Sequence, residues 1–163
     1  MKQLAGLIAE EIGMEIVYAK PSSNRWLQYD PELCRSYANK AFLAMHDVCH
    51  WLVATPRERG WPNFGCGLDP DYGEPYVDES VIPSCMKLSS DMIQQREDEA
   101  GIYFTMLCHY AGIEDGRLMF DYESVRNSSG WTREMFDSLV RRGRLTSDGV
   151  PVILFDVIES LED

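Results

Sequence analysis

DPELCRSYANKAFLAMHDVCHWLVATP, residues 30–56, is the stretch from which the rest of the chain can be organised. Asp30 before Pro31 reads as a capping residue and a first-turn proline. Apolar residues then recur three and four apart as far as Ala54, and Thr55-Pro56 disfavours continuation. The pattern predicts a helix from about Glu32 to Ala54. On that helix His46 and His50 stand four apart, so both imidazoles share one face, one turn from each other. Phe42, Leu43, Cys49 and Val53 share or border the same face, which therefore looks inward. Asn39, two turns before His46, brings the stripe out to solvent at that end. Two buried imidazoles this close each need a hydrogen-bond partner or a common metal.

A helix that offers two imidazole nitrogens to one ion needs a further ligand from another element, and an acid suits it. The stretch QREDEAGIYFTML (95–107) lies in a second long helix, expected from Ser89 to Ala111 and ending near Gly112. Glu97 shares a stripe with Ile93, Ala100, Gly101, Phe104 and Cys108, where an unpaired carboxylate is costly. Gly101 leaves room for another helix to approach. Glu99 borders a different apolar stripe (Met92, Tyr103, Leu107) and is the fallback ligand, while Asp98 points to Gln94 and Gln95 and reads as solvated. The remaining histidine, His109, stands beside Tyr110 and is read as a surface or satisfied core residue.

Outward from these two helices, residues 2–13 form an amphipathic pattern (Leu4, Leu7, Ile8, Ile12) stopped by Gly13. Met14–Tyr18 and Val152–Phe155 read as strands, PSSN (21–24) as a turn, and Thr132–Arg142 as a third helix after NSSGW (127–131). Residues 56–83 are rich in Gly and Pro and read as a long loop, a candidate cover for an active site. The acidic tail ESLED is expected to fray. There is no internal repeat, and the whole chain, 1–163, reads as one α+β domain. Its metal-bearing long helices pack with a small sheet, and its site is borne on a helix as in zincins.

The net charge of −12 excludes general nucleic-acid affinity, which needs clustered Lys and Arg. Arg141, Arg142 and Arg144 form the one basic cluster, at a helix end where cations complement the dipole. No apolar run reaches the ~18 residues of a membrane span. Glu10 and Glu11 break the apolar character of the first residues, so no signal peptide is expected and the cytoplasm is the default. The five cysteines (34, 49, 66, 85, 108) form no C-x-x-C pair, and reduced thiols are expected rather than a disulfide frame.

A zinc peptidase of the H-E-x-x-H type uses the glutamate after its first histidine as general base. Here that position is Asp47, one methylene shorter, which weakens proteolysis as a reading. Two histidines and a carboxylate with open positions also describe non-haem Fe(II) oxygenases. The residues by themselves leave Zn(II) and Fe(II) open. They leave open, too, a zincin-like hydrolase using Asp47 and a non-catalytic interaction protein with a vestigial metal site.

The run HDVCHWLVATPRERGWPNFG (46–65) resembles the bacterial elongation factor P hydroxylase family. There a helical H-x-x-x-H-W leads through a hydrophobic residue and alanine to a basic stretch and an aromatic-glycine pair. His46, His50, Trp51, Val53, Ala54, Arg59, Phe64 and Gly65 stand at those positions. The block from Glu97 through Cys108 to Gly112 is similar to the family's second helix and puts Glu97 at its acidic ligand. The similarity spans about residues 40–112. It implies an Fe(II) centre of His46, His50 and Glu97 that activates O2 to hydroxylate a lysine-derived side chain of a translation factor. Asp47 departs from the glutamate often found there, and 2-oxoglutarate, whose enzymes carry their ligands on strands, is not expected. Trp51, Arg59, Asn63 and Phe64 are the candidate substrate-binding residues beside the site.

Overall fold

The computed structural model describes residues 1–19, 28–67 and 82–163. The turn expected at 21–24 and residues 68–81 of the expected loop lie outside these. The first helix, α1 (Lys2–Ile12), forms where expected and buries Ala5, Ile8 and Ala9. Gly13 stops it at φ 74°, the left-handed conformation that glycine adopts without a Cβ penalty, and its N–H caps the Ala9 and Glu10 carbonyls. A short strand, β1 (Glu15–Val17), follows.

The expected helix over 32–54 is shorter than its pattern. Asp30 does cap, its Oδ1 accepting from the Glu32 and Leu33 N–H groups at 3.0 and 3.4 Å, but what it caps is a turn. Cys34 takes φ 47°, and the chain leaves the turn extended as β3 (Arg35–Tyr37). This strand is the centre of the sheet, parallel to β1 on one side and antiparallel to β2 (Tyr29–Asp30) on the other. Helix α2 begins only at Ala41 and runs to Val53, ending where Ala54 turns extended ahead of Pro56. Strand pairing with residues 20 positions away in sequence, which local periodicity does not register, outweighs local preference here.

Helix α3 (Ser90–Tyr110) starts where expected, with the Ser89 hydroxyl accepting from the Met92 N–H and Asp91 in the first turn. Its second half is buried almost all round, and its partner is α2; these two make the most extensive helix pair of the fold. Helix α1 covers α2 from another side, while α5 (Gly130–Arg141) covers α3. A short α4 (Tyr122–Arg126), not expected from the sequence, joins the two.

The expected strand at Val152–Phe155 is instead the start of a helix, α6 (Ile153–Glu162), packed on α1 through Ile153 and Val157. The tail expected to fray belongs to it. Ile153 and Val157 stand four apart, so the short β-branched run is the buried edge of a helical stripe. The result is a mixed helical α+β arrangement with a three-stranded sheet. No helix among the described residues is long and apolar enough to cross a membrane.

Candidate metal centre

Because α2 is the central helix, the face carrying His46 and His50 meets α3 rather than solvent. His50 is nearly enclosed, with 6% of its side chain exposed against 25% for His46 and 38% for Glu97. The imidazoles meet edge to face, centroids 4.6 Å apart, and turn their Nε2 atoms toward each other at 3.2 Å. Glu97 Oε2 from α3 completes the triangle, 3.2 Å from His50 Nε2 and 3.5 Å from His46 Nε2. Such a triangle has a circumradius of about 1.9 Å, so a divalent ion with bonds of about 2.1 Å fits just off its plane. His46, His50 and Glu97 therefore form a group that could hold a metal ion.

Electrostatics agree with a cation-seeking site. Burial opposes protonation of His50, yet the Glu97 charge beside it, with hydrogen bonds from the imidazole to Cys66 and Glu97, holds its pKa well above the ordinary 6.5. Burial likewise works against the Glu97 carboxylate, and the two imidazoles overcome it, holding Glu97 far below 4.5.

Glu99, the fallback ligand, is settled elsewhere. It is fully buried, with Oε1 accepting from Gln95 at 2.9 Å and Oε2 from Arg142 at 2.8 Å, and Arg96 bridges both oxygens at 3.3 Å. Asp98 turns outward, where it accepts from Gln94 and from the Trp131 indole. His109 stacks on Tyr122 with centroids 3.4 Å apart, away from the triad.

No protein-family model, curated protein or solved structure matches the chain.

Asp47 lines the same cavity as the three donor residues. It is buried, accepts a 2.5 Å hydrogen bond from the Ser36 hydroxyl, and lies 4.0 Å from His46 Nδ1, the ring nitrogen that faces away from Glu97. At that distance the carboxylate acts on the imidazole through its charge rather than through a hydrogen bond. Strand β3 supplies Ser36, so the small sheet reaches the site through this contact.

A cavity of about 450 Å³ opens onto the triad. Phe42, Ile93, Phe104 and Met119 supply apolar wall, and Gln28, Asn63 and Arg117 supply polar atoms. Of the four candidate substrate-binding residues, Asn63 and Phe64 line it; Trp51 and Arg59 do not. Arg59 stacks on Trp51 at 3.6 Å and donates through Nε to the Trp51 carbonyl, so the two hold each other.

The wall behind His50 is built by an unusual backbone. Asn63 and Phe64 sit at φ 48° and 58°, followed by Gly65 at 80°. Left-handed backbone is ordinary for glycine, tolerable for asparagine and costly for phenylalanine. It persists because both side chains are held. Asn63 Oδ1 accepts from the Tyr29 N–H at 2.8 Å and Nδ2 donates to the Gly67 carbonyl at 3.0 Å. Phe64 is sandwiched between Tyr29 (4.0 Å) and His50 (5.9 Å), each nearly parallel to it.

Gly101 makes space for a loop, not for the helix expected there. A Cβ at this position would collide with Met119 Cε and lie 2.9 Å from the Phe120 ring. Sequence reasoning missed Tyr29, Arg117 and Met119, which come from segments with no periodic signal. The glycine-bearing run at 63–67, which reads as a substrate-facing turn, does line the cavity.

Proposed function

We propose that the chain is a mononuclear non-haem iron(II) hydroxylase acting on a protein side chain, with His46, His50 and Glu97 holding the metal. The observation that carries this reading is the convergence of two imidazole nitrogens and one carboxylate oxygen within 3.5 Å beside a largely apolar cavity. Such a donor set leaves coordination positions for O2 and neutral ligands, which suits iron(II). Bound iron would supply O2 activation: a C–H bond becomes C–OH, the second oxygen leaves as water, and an external reductant provides two electrons.

The chain's own residues do the rest. Phe42, Phe104 and Met119 exclude water and accept an aliphatic stem. Phe64 holds the His50 ring plane, and Asp47, held by Ser36, places a negative charge beside His46 Nδ1. The resemblance to elongation factor P hydroxylases supports a lysine-derived side chain on a translation factor as substrate. A zinc hydrolase would need a carboxylate placed to take a proton from metal-bound water. The position of Asp47, held by Ser36 beside His46 Nδ1, gives that reading less support.

The test is anaerobic purification and Fe(II) loading, then metal analysis and O2 uptake with candidate translation factors. One iron per chain, lost in His46→Ala, and a mass gain of one oxygen atom on the substrate are expected. Stoichiometric zinc with no Fe(II) binding would overturn the proposal.

A further inference from the structure

The stripe of α3 that brings Glu97, Gly101 and Phe104 to the metal cavity continues beyond it. One turn further on, Thr105, Cys108 and His109 line a second cavity of about 560 Å³. Its other wall comes from the segment 113–122, which leads from α3 into α4. Met119 belongs to both walls and is 59% exposed, so one side chain forms the saddle between the two cavities. The segment is firmly seated. Met119 and Phe120 fill the space that Gly101 leaves, and the Thr105 hydroxyl donates to the Phe120 carbonyl at 2.9 Å.

The second cavity offers a different chemistry from the first. His109 and Tyr122, stacked on each other, give it an aromatic side, and Glu114, Asp115 and Asp121 bring carboxylates to the wall. None of the described residues lining it is a lysine or an arginine. Asp115 is held by Arg117, and Asp121 by its cap on α4, so both are fixed in place; Glu114 is exposed. Aromatic rings with carboxylates beside them suit a basic side chain, a guanidinium above all, because its faces stack while its edges donate.

We propose that the second cavity docks a basic residue of the same polypeptide whose side chain enters the metal cavity, so that together the two hold an extended segment of substrate. This rests on the protein side-chain hydroxylase reading and specifies its substrate. Glu97 and His109 are twelve residues apart on one helix, about 18 Å along its axis at ~1.5 Å per residue. An extended chain covers that span in about five residues at ~3.3 Å each. The substrate segment therefore carries an arginine or lysine about five positions from the modified residue.

Two glycine-serine peptides with a central lysine test this, one with arginine about five positions to either side, the other with glutamate there. Fluorescence anisotropy of the labelled peptides with the full metal-loaded chain under argon reads binding without turnover. The arginine peptide should bind about tenfold or more tighter than the glutamate peptide. Gly116 lines the second cavity, and a Cβ there would meet nothing within 4 Å, so Gly116→Trp plugs the cavity without displacing a neighbour. That variant should lose the preference, and Glu114→Lys should shrink or reverse it. Both should keep wild-type metal affinity by chelator competition and a wild-type circular dichroism spectrum. Equal binding of the two peptides, no saturable binding by either, or an undiminished preference in folded Gly116→Trp would overturn the docking site. The hydroxylase reading fails separately, on zinc loading without Fe(II) binding; a charge preference measured on that zinc-loaded chain would still support the docking site.

Discussion

Glu97 and Glu99 stand two residues apart on the same helix, and replacing each by glutamine should have opposite consequences. Glu99 is fully buried and carries the bonds of Arg96 and Arg142. Breaking a buried pair costs about 3–5 kcal/mol. Glutamine retains an acceptor and Arg96 keeps Glu58, so about 3 kcal/mol is expected for Glu99→Gln. For a chain of this length each kcal/mol moves Tm by roughly 2–4 °C, giving a fall of about 6–12 °C. Glu97 is 38% exposed, and its pairing in the metal-free protein is worth about 1 kcal/mol at most.

Metal inverts the order. At a hundredfold excess over Kd, a bound ion stabilises wild type by about 2.7 kcal/mol, or roughly 5–11 °C. Thermal melts with EDTA and with Fe(II) under argon should show Glu97→Gln melting like wild type without metal and failing to respond to it. Glu99→Gln should melt lower and keep the full metal shift. If Glu99→Gln lost the shift while Glu97→Gln kept it, the assignment of the acidic ligand, and with it the proposed centre, would be wrong.

In metal-free protein the His50 contribution to stability is complete below the unfolded value of 6.5 and disappears as pH rises through its elevated folded value. The Glu97 contribution is complete above 4.5 and disappears as pH falls through its depressed one. The pair thus supports the fold most between 4.5 and 6.5 and fades on the alkaline side. Metal affinity rises there as His50 gives up its proton; a Tm difference from His50→Gln that stayed flat with pH would contradict this. Asp47→Asn should leave the protein folded but weaken metal binding about 10–100-fold, as read by competition with a chromogenic chelator; undiminished affinity would show that the Asp47 charge does not act on His46. Gly101→Ala gains about 1 kcal/mol of helix propensity and forces Met119 and Phe120 outward at about 1–3 kcal/mol. A net loss in urea melts is expected, and a gain would mean that the loop yields freely.

Much of this fold is legible in the sequence, for identifiable reasons. Helix α3 announces itself through Ser89, Asp91 and a long stripe, all local signals that survive in the fold. The triad is legible because i,i+4 spacing translates directly into shared direction, and because Glu97 sits on an apolar stripe. What escapes is non-local. Asp30-Pro31 looks like a helix start, and only the pairing of β3 with β1 and β2 reveals that the chain turns back into a sheet. The Val152–Phe155 run looks like a strand until Val157 is counted with Ile153. The cavity walls at 28–29, 63–67 and 117–119 converge from segments whose encounter no window of sequence contains.

The left-handed turn at Asn63 and Phe64 bears on how this protein tolerates change. Glycine at either position would relax the backbone, a gain of about 1–3 kcal/mol. At Phe64 it would also remove a buried ring stacked between Tyr29 and His50, a loss of about 3–5 kcal/mol, and at Asn63 it would untie Tyr29 and Gly67. The same side chains that wall the cavity therefore hold the strained turn in place, and stability and site geometry are tied to each other at these two residues. A library scored for folding alone would already keep the turn that the site needs.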